Sequence, residues 1–187
     1  MDRRDQLLSS AERFARMRGF DGFSYADIAA DIGIRKPSIH HHFPHKSDLA
    51  FALVERYSEV FRNALNRIEG EAETGGQRLM AFLEIYRTAL QGGESLCLCV
   101  AFSANGESLS DPVLHAINAF HEHARTWLKS TFERGATDHT IKHVGDPERE
   151  GAAALALVEG AQLIARAARG LDPYDASVEI LRARITG

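Results

Sequence analysis

The sequence predicts an all-α protein of about nine helices, with a small N-terminal domain followed by a larger helical domain. Apolar residues recur at helical spacing along most of the chain, and no segment shows the alternation of apolar and polar residues that is typical of a strand. Proline is also rare, with five in 187 residues, so long stretches contain no helix breaker. Together these features favour helices over a loop-rich or β-rich architecture.

Caps and breaks in the sequence set the predicted helix boundaries. The first helix begins at Asp2, a candidate N-cap, and stops before Gly19, whereas Ser24 can cap the second helix. Gly33 ends the second helix, and Pro44 separates the third helix from a long fourth one. The predicted helices span about 2–18, 25–32, 36–42, 46–69, 77–91, 95–107, 112–134, 148–169 and 174–185.

The composition is that of an ordinary soluble globular chain, with 44% hydrophobic and 26% charged residues. No run of about 18 or more apolar residues occurs, so we expect no membrane-spanning helix and no membrane partner. The first residues lack the uninterrupted apolar region of a secretory signal. A cytoplasmic location is therefore expected.

The formal net charge of −4 conceals an uneven distribution. Residues 1–56 contain nine basic and eight acidic side chains, whereas residues 57–187 contain thirteen and eighteen. Four of the nine histidines also lie in the first segment. An anionic partner is therefore expected to dock on the N-terminal quarter of the chain.

Residues 24–49 carry the most informative pattern in the sequence. Ile28 and Ala29 give the first of two short helices an apolar face, and the small alanine allows the next helix to cross closely. Gly33 supplies the left-handed backbone of a tight turn, and Ile39 and Phe43 anchor the second helix to the core. The segment is therefore predicted to be a helix-turn-helix.

The opposite face of that second helix is rich in hydrogen-bond donors. Such a helix, with a mildly cationic outer face and a buried inner face, suits insertion into the major groove of double-stranded DNA. Lys46 stands at the start of the fourth helix, where its ammonium group and the helix amides could hold a backbone phosphate. The outward residues are Arg35, Lys36, Ser38, His40, His41 and His42.

Residues 24–54 resemble the helix-turn-helix signature of TetR/AcrR-type regulators, with Ser-x-x-Asp-Ile-Ala, a Gly-Ile turn and His-His-Phe-Pro-x-Lys in that order. The resemblance implies a DNA-binding domain over 1–45, continuing into the helix 46–69, and a ligand-binding and dimerisation domain over 46–187. It further implies a dimeric transcriptional repressor that binds a pseudo-palindromic operator and is released by a small-molecule effector. The sequence identifies neither the effector nor the operator.

The resemblance also implies which side chains meet DNA, mostly at phosphates. Arg35 and Pro37 depart from the family pattern, which commonly has Ser or Thr at the first position and a small residue at the second. An arginine can make a bidentate guanine contact that a serine cannot, so the operator cannot be copied from a relative. The expected DNA-binding residues are Ser24, Tyr25, Arg35, Lys36, Pro37, Ser38, His40, His41, His42 and Lys46.

Neither a metal site nor another cofactor is expected. Consecutive helical residues point about 100° apart, so the run of three histidines at 40–42 cannot share one ion. His115, His121 and His123 lie on one predicted helix, but no pair has the three- or four-residue spacing of helical metal ligands. One of these histidines is expected to line an effector pocket instead.

The predicted effector pocket lies between helices in the middle of the chain. Aromatic residues recur there at helical spacing, and most of them belong in the core. A pocket between the helices would take its walls from some of these rings and its specificity from a few polar groups. The residues expected to line it are Tyr86, Cys99, Phe102, His123 and Trp127.

The last two helices are the expected dimer interface. Residues 151–170 are rich in alanine and glycine, which allow helices to pack closely, and the final helix adds further apolar side chains. The resemblance implies that two such helix pairs form an intermolecular four-helix bundle. The alternative is a hairpin within one subunit.

Other function classes remain as alternatives. The chain has no Gly-rich phosphate loop, no Gly-x-Ser-x-Gly and no His-Glu-x-x-His, so it is not expected to be an enzyme. Cys97 and Cys99 lie in an apolar run, which favours two buried residues, although a thiol that senses oxidants or electrophiles is the alternative. An activator, in place of a repressor, is a further alternative with the same fold.

Overall fold

The computed structural model describes residues 2–104 and 108–186, and within these ranges it confirms the all-α prediction. The described residues form nine α-helices, one 3₁₀ turn at Gln91–Gly93 and a single isolated β-bridge between Ile141 and Ile185. The helices are α1 (Arg3–Arg18), α2 (Tyr25–Ile32), α3 (Lys36–His42), α4 (Lys46–Glu71), α5 (Gly75–Ala89), α6 (Leu98–Ser103), α7 (Asp111–Thr137), α8 (Pro147–Ala168) and α9 (Asp172–Arg182).

The largest departure from the predicted boundaries is at α6, which was expected over 95–107 and is observed at Leu98–Ser103. The preceding residues form a turn, in which the Ser95 amide donates to the carbonyl oxygen of Leu90 at 3.0 Å. The Cys97 amide donates to the side chain of Gln162 at 2.9 Å. Tertiary contacts therefore replace the first helical turn. The C-terminal residues of the prediction, 105–107, lie outside the described residues.

Local hydrogen bonds explain why α1 and α2 begin where they do. The carboxylate of Asp2 accepts from the Arg3 amide and caps α1. Ser24 and Asp27 form a reciprocal capping box at α2, with the Ser24 amide donating to the Asp27 carboxylate at 2.8 Å. The hydrogen bonds from Ser24 hold the pKa of Asp27 below its usual range. Both caps were predicted from the sequence.

The chain divides into two compact units. Unit 1 contains the residues up to Glu59 together with Leu98–Ala119, and unit 2 contains Val60–Cys97 together with the residues from Phe120 onward. This division differs from the sequence-based boundary at 45/46, because α6 and the first part of α7 group with the N-terminal helices. The functional division into DNA-binding and effector-binding parts stays a prediction.

The core of unit 1 is built around α1 and the two short helices. Leu7 and Leu8 of α1, Ile28 of α2 and other apolar side chains are almost completely buried, which fastens α2 to α1. The ring of Phe20, in the turn after α1, lies 5.7 Å from the ring of Phe102 on α6 at a steep angle. α6 therefore completes the core that supports the short helices.

Unit 2 has an aromatic core formed by α4, α5 and α7. The ring centroids of Phe61 and Phe120 are 4.6 Å apart, and those of Phe82 and Tyr86 are 5.1 Å apart. Phe82 also stacks on Trp127, with centroids 5.6 Å apart and ring planes within 18°. Offset stacking of this kind stabilises the core beyond the burial of apolar area.

Polar side chains join α5, α8 and α9 within unit 2. The amide of Gln162, which is fully buried, donates to the carbonyl oxygen of Tyr86 at 2.7 Å and accepts from the Cys97 amide at 2.9 Å. Arg87 makes a two-pronged ion pair with Asp175, at 2.8 and 2.9 Å. This pair holds the pKa of Asp175 below its usual range.

Helix α8 is the one described helix that is long and apolar enough to cross a membrane, although the sequence was expected to contain none. Its length and composition reach that minimum, and 39% of the apolar window is buried inside the protein. In this structure α8 packs against α9 and α5. Because core helices of globular proteins pass the same test, this single helix is weak support for a membrane span.

The left-handed backbone conformation of Gly33 can be tested by substitution. It has φ 69° and ψ 38°, and a Cβ added there would meet no atom within 4 Å. Gly33→Ala should therefore lower the free energy of unfolding by about 1 kcal/mol through backbone strain alone. Gly33→Asn should lower it less, since asparagine tolerates the left-handed region. Urea denaturation measures both variants, and an alanine variant as stable as the parent would contradict the assignment.

Candidate nucleic-acid interface

The turn between α2 and α3 directs the chain sharply into α3. Gly33 adopts the left-handed conformation, and the Ile34 amide donates to the carbonyl oxygen of Ala29 at 3.0 Å. Ile39 is the one buried residue of α3, with 0% of its surface exposed, and Phe43 at the C-terminal end is 3% exposed. These two side chains fix which face of α3 points inward.

The remaining residues around α3 form an exposed surface, called here the recognition surface. Its guanidinium, ammonium, hydroxyl and imidazole groups are mainly hydrogen-bond donors, and α3 has no acidic residue in its first turn. Donors of this kind suit phosphate oxygens and the acceptor-rich edges of guanine. The recognition surface consists of Arg35, Lys36, Pro37, Ser38, His40, His41 and His42, all exposed.

Tyr25 positions the C-terminal end of α3. Its hydroxyl donates to the carbonyl oxygen of Phe43 at 2.8 Å, and its ring lies 4.8 Å from the ring of His40. The Nδ1 atom of His40 is in turn 3.3 Å from the carbonyl oxygen of Pro44. Burial, and then the charge of Asp48, raise the pKa of Tyr25 to about 12. The phenol therefore stays a neutral donor at physiological pH.

Ser24, expected at the edge of the DNA contact, is exposed, and its side chain already serves the capping box of α2. The hydroxyl donates to the Asp27 carboxylate at 2.7 Å and accepts from the Ala26 amide at 3.2 Å. Arg18 lies 3.7 Å from the same carboxylate group. The structure therefore gives Ser24 a local role in starting α2.

The ammonium group of Lys46 points into unit 1. Its Nζ atom donates to the carbonyl oxygens of Phe20 and Phe23, at 2.5 and 2.6 Å, and lies 4.5 Å from the centroid of each ring. Burial lowers the pKa of Lys46, while the charges of Asp21 and Asp27 act in the opposite direction. The geometry makes Lys46 a tether between the start of α4 and the turn after α1.

The residues expected to bind an effector fall into both units. Tyr86 and Trp127, of unit 2, both have their rings within 6 Å of Phe82, at 5.1 and 5.6 Å. Phe102, of unit 1, contacts Phe20 as described above. Unit 2 contains Tyr86, His123 and Trp127, whereas unit 1 contains Cys99 and Phe102.

One face of α7 carries polar atoms that are shielded from solvent and unpaired. Within the described residues, His123 Nε2, Trp127 Nε1 and Thr131 Oγ1 have no hydrogen-bond partner. The predicted effector pocket includes the first two residues and does not include Thr131. Its position four residues after Trp127, on the same helix face, was the available signal.

The two cysteines are buried, as the apolar run predicted, with 2% and 0% of their surfaces exposed. No Lys, Arg or His is adjacent to either cysteine in the sequence, but the fold brings Cys97 close enough to His121 to affect the pKa of that histidine. Burial lowers the pKa of His121, and its contact with Glu159 at 3.2 Å outweighs that effect and raises it, with a smaller contribution from Cys97. In the described part of the chain, no group of three His, Cys, Asp or Glu side chains could hold a metal ion.

Residues 7–53 match the profile of a family described as "Bacterial regulatory proteins, tetR family". The chain is 25% identical to the HTH-type transcriptional repressor NemR of Escherichia coli over 177 residues, covering 93% of this chain and 89% of the relative. It is also 25% identical to the HTH-type transcriptional regulator LmrA of Bacillus subtilis, covering 92% and 90%.

Solved structures share the fold of this chain. A TetR-family transcriptional regulator from Agrobacterium tumefaciens superposes with a TM-score of 0.92 at 29% identity, covering 98% of this chain and 97% of that one. The reduced form of E. coli NemR superposes with a TM-score of 0.82 at 24% identity, covering 99% and 98%, which is a likeness of fold.

The free energy of unfolding tests whether Lys46 acts as a tether, because a side chain that only contacts phosphate would not affect the stability of the free protein. Lys46→Met keeps the apolar stem and removes the ammonium, so the free energy of unfolding should fall by about 1–2 kcal/mol, because two charged hydrogen bonds are lost. Lys36→Met, at an exposed lysine, is the matched control and should leave the unfolding free energy unchanged. If both variants unfold at the same urea concentration as the parent, the tether does not contribute to stability.

Proposed function

The chain belongs to the TetR family of transcriptional regulators, and on that premise we propose that it is a dimeric repressor which binds a pseudo-palindromic operator and leaves it when a small molecule binds unit 2. The observation that carries the proposal is the recognition surface, a row of exposed donors on a helix whose inner face is anchored by Ile39. The similar proteins are regulators and not enzymes, which supports a non-catalytic role, and a cytoplasmic location is consistent with them.

In the proposed complex, α3 enters the major groove and its N-terminal residues read bases. Arg35 precedes the helix, is exposed and makes no side-chain capping bond, so its guanidinium is available for O6 and N7 of a guanine. The other members of the recognition surface contact phosphates or base edges. Ser24 and Tyr25 contribute at the margin by holding α2 and α3 in position, and Lys46 by holding the start of α4 against the turn after α1.

Exposed apolar side chains on α8 and α9 support dimerisation through the last two helices. Within one chain α8 already packs against α9, yet Leu163, Ile164 and Ile180 remain 47%, 57% and 67% exposed. The exposed positions around them on α8 are mostly alanine, which permits close helix packing. A two-fold axis through this surface would bury these side chains in a four-helix bundle and present two α3 helices to successive major grooves, about 34–36 Å apart.

The proposed response to an effector is a shift between two populations. A small molecule that binds unit 2 better in the state that cannot hold the operator would release the DNA. Helix α4 supports this route, since it is continuous from Lys46 in unit 1 to Glu71 in unit 2. A tilt of α4 in the dimer would change the separation of the two recognition surfaces.

Selection of binding sites from a randomised duplex pool tests the proposal. The purified protein, at near-physiological salt, should enrich a pseudo-palindromic consensus with a guanine in each half-site. Arg35→Ala should weaken binding to the selected site by about 1–3 kcal/mol and relax the preference at that guanine, because the bidentate contact is lost.

Arg149→Ala is the matched control, since it removes the same charge from an exposed arginine of unit 2. Its affinity and sequence preference should equal those of the parent. Enrichment of no sequence by a folded, dimeric protein would overturn the proposal. An unchanged consensus with Arg35→Ala would show that another residue reads the guanine.

The dimer interface has a test of its own. Ile164→Glu and Ile180→Glu place a charge on the exposed apolar face, and each should convert the dimer to monomer in light scattering, because an unpaired charge would be buried. Met80→Glu is the control, as Met80 is an apolar residue on α5 that is 41% exposed. A dimer that survives both α8 and α9 substitutions would mean that another surface forms the interface.

A further inference from the structure

We infer that the effector is an uncharged, flat aromatic molecule with a hydrogen-bond acceptor such as a ketone oxygen, bound in unit 2 against α5 and α7. The inference rests on the proposed function, because it names the chemical class of the effector of the same repressor. It is carried by unpaired donors in the core of unit 2 and by the rings beside them.

The unpaired donors lie along one face of α7. Trp127 is 6% exposed and Thr131 is fully buried, yet neither Trp127 Nε1 nor Thr131 Oγ1 has a hydrogen-bond partner among the residues described. His123 Nε2 is likewise shielded from solvent and unpaired. Because the three residues are spaced by four, their side chains lie on the same side of the helix.

The missing partner of these groups is best supplied by a hydrogen-bond acceptor. An indole N–H can only donate, whereas a threonine hydroxyl can donate or accept. Buried helical threonines commonly bond to the carbonyl oxygen four residues earlier, but Thr131 makes no such bond. Buried polar groups without partners oppose folding, and in this inference a bound molecule supplies the missing partner.

The rings around these donors favour a flat molecule. Phe82 lies nearly parallel to Trp127, at 5.6 Å between centroids and 18° between planes, and Tyr86 lies 5.1 Å from Phe82. Phe61 approaches Phe82 edge-on at 6.3 Å. An aromatic ligand bound against these rings would stack on one of them, with its oxygen facing the α7 donors.

The charges of unit 2 disfavour an ion at this position. The indole of Trp127 and the hydroxyl of Thr131 are both neutral, and burying a carboxylate beside them would require a charged partner. Arg78 on α5 also has an unpaired Nε, but its terminal nitrogen donates to the carbonyl oxygen of Glu69 at 3.4 Å, at the exposed edge of the protein. Arg87 is already paired with Asp175.

Three probes built on the same naphthalene ring separate the need for an acceptor from the need for a neutral molecule. The full-length protein, without DNA, is dialysed to equilibrium against 2-acetylnaphthalene, 2-ethylnaphthalene and 2-naphthoate. The ketone should bind at least tenfold more tightly than the ethyl compound, which has no acceptor, and than the carboxylate, which is charged. Equal affinity for ketone and ethyl compound, preference for the carboxylate, or no ketone binding at millimolar concentration would each overturn the inference.

Variants that lack the donor groups then test the donors themselves. Trp127→Phe and Thr131→Val should each weaken ketone binding about tenfold and leave the affinity for 2-ethylnaphthalene unchanged. Thr126→Val is the matched control, an exposed threonine on the same helix, and should bind all three probes like the parent. Ketone affinity that is unchanged in both donor variants would overturn the assignment.

A stability measurement distinguishes a ligand-binding hydroxyl from a structural one. The thermal midpoint of the free Thr131→Val protein should be equal to or higher than that of the parent, since an unpaired buried hydroxyl has been removed. A midpoint lowered by several degrees would show that the hydroxyl has a structural partner and would overturn the inference.

Failure of this inference can be told apart from failure of the proposed function. Dialysis contains no DNA, and operator selection contains no ketone. Loss of ketone discrimination with intact operator selection overturns the effector class alone. Ketone discrimination without operator selection supports the pocket chemistry and overturns the repressor proposal.

Discussion

Helix α3 has seven residues, which is too short to be stable alone in water. The direction of every outward side chain on it therefore depends on how α3 is fastened to the rest of unit 1. Ile39 is its one buried residue, and Phe43 follows it by four positions, so both reach the same side. The left-handed Gly33 sets the angle of entry, and the hydroxyl of Tyr25 holds the far end through the carbonyl oxygen of Phe43. A few inward contacts thus determine the whole recognition surface.

The same constraint extends to α4 through Lys46. A cation at the N-terminus of a helix opposes the helix dipole, so this position requires compensation. The carbonyl oxygens and rings of Phe20 and Phe23 supply it. As a result, the first turn of α4 is bound to the turn between α1 and α2. Any displacement of the start of α4 must either carry that turn with it or break two short hydrogen bonds.

Much of the fold could be predicted from the sequence, because helix ends are set by local chemistry. Ser24 and Asp27 identify the start of α2, and Gly33 its end, without knowledge of any distant residue. The exposed and buried faces of α3 follow from the spacing of its apolar residues in the same way. The start of α6 could not be predicted, because the Cys97 amide is taken by Gln162, which lies 65 residues away. Periodicity contains no information about such a contact.

The polar interior was the least predictable part, since periodicity indicates which residues are buried and not whether a buried polar atom has a partner. The sequence suggests a phosphate contact for Lys46, but it cannot show that two backbone carbonyl oxygens lie within hydrogen-bond distance of the ammonium group. For Thr131, the sequence shows a position on a helix face and not whether the hydroxyl has a partner. Within the described residues of α1–α3, every buried side-chain nitrogen or oxygen has a partner, whereas α7 keeps unpaired ones at residues 123, 127 and 131. Complete pairing gives rigidity to helices that must hold a fixed surface, and incomplete pairing is the condition expected where a second molecule supplies the missing bonds.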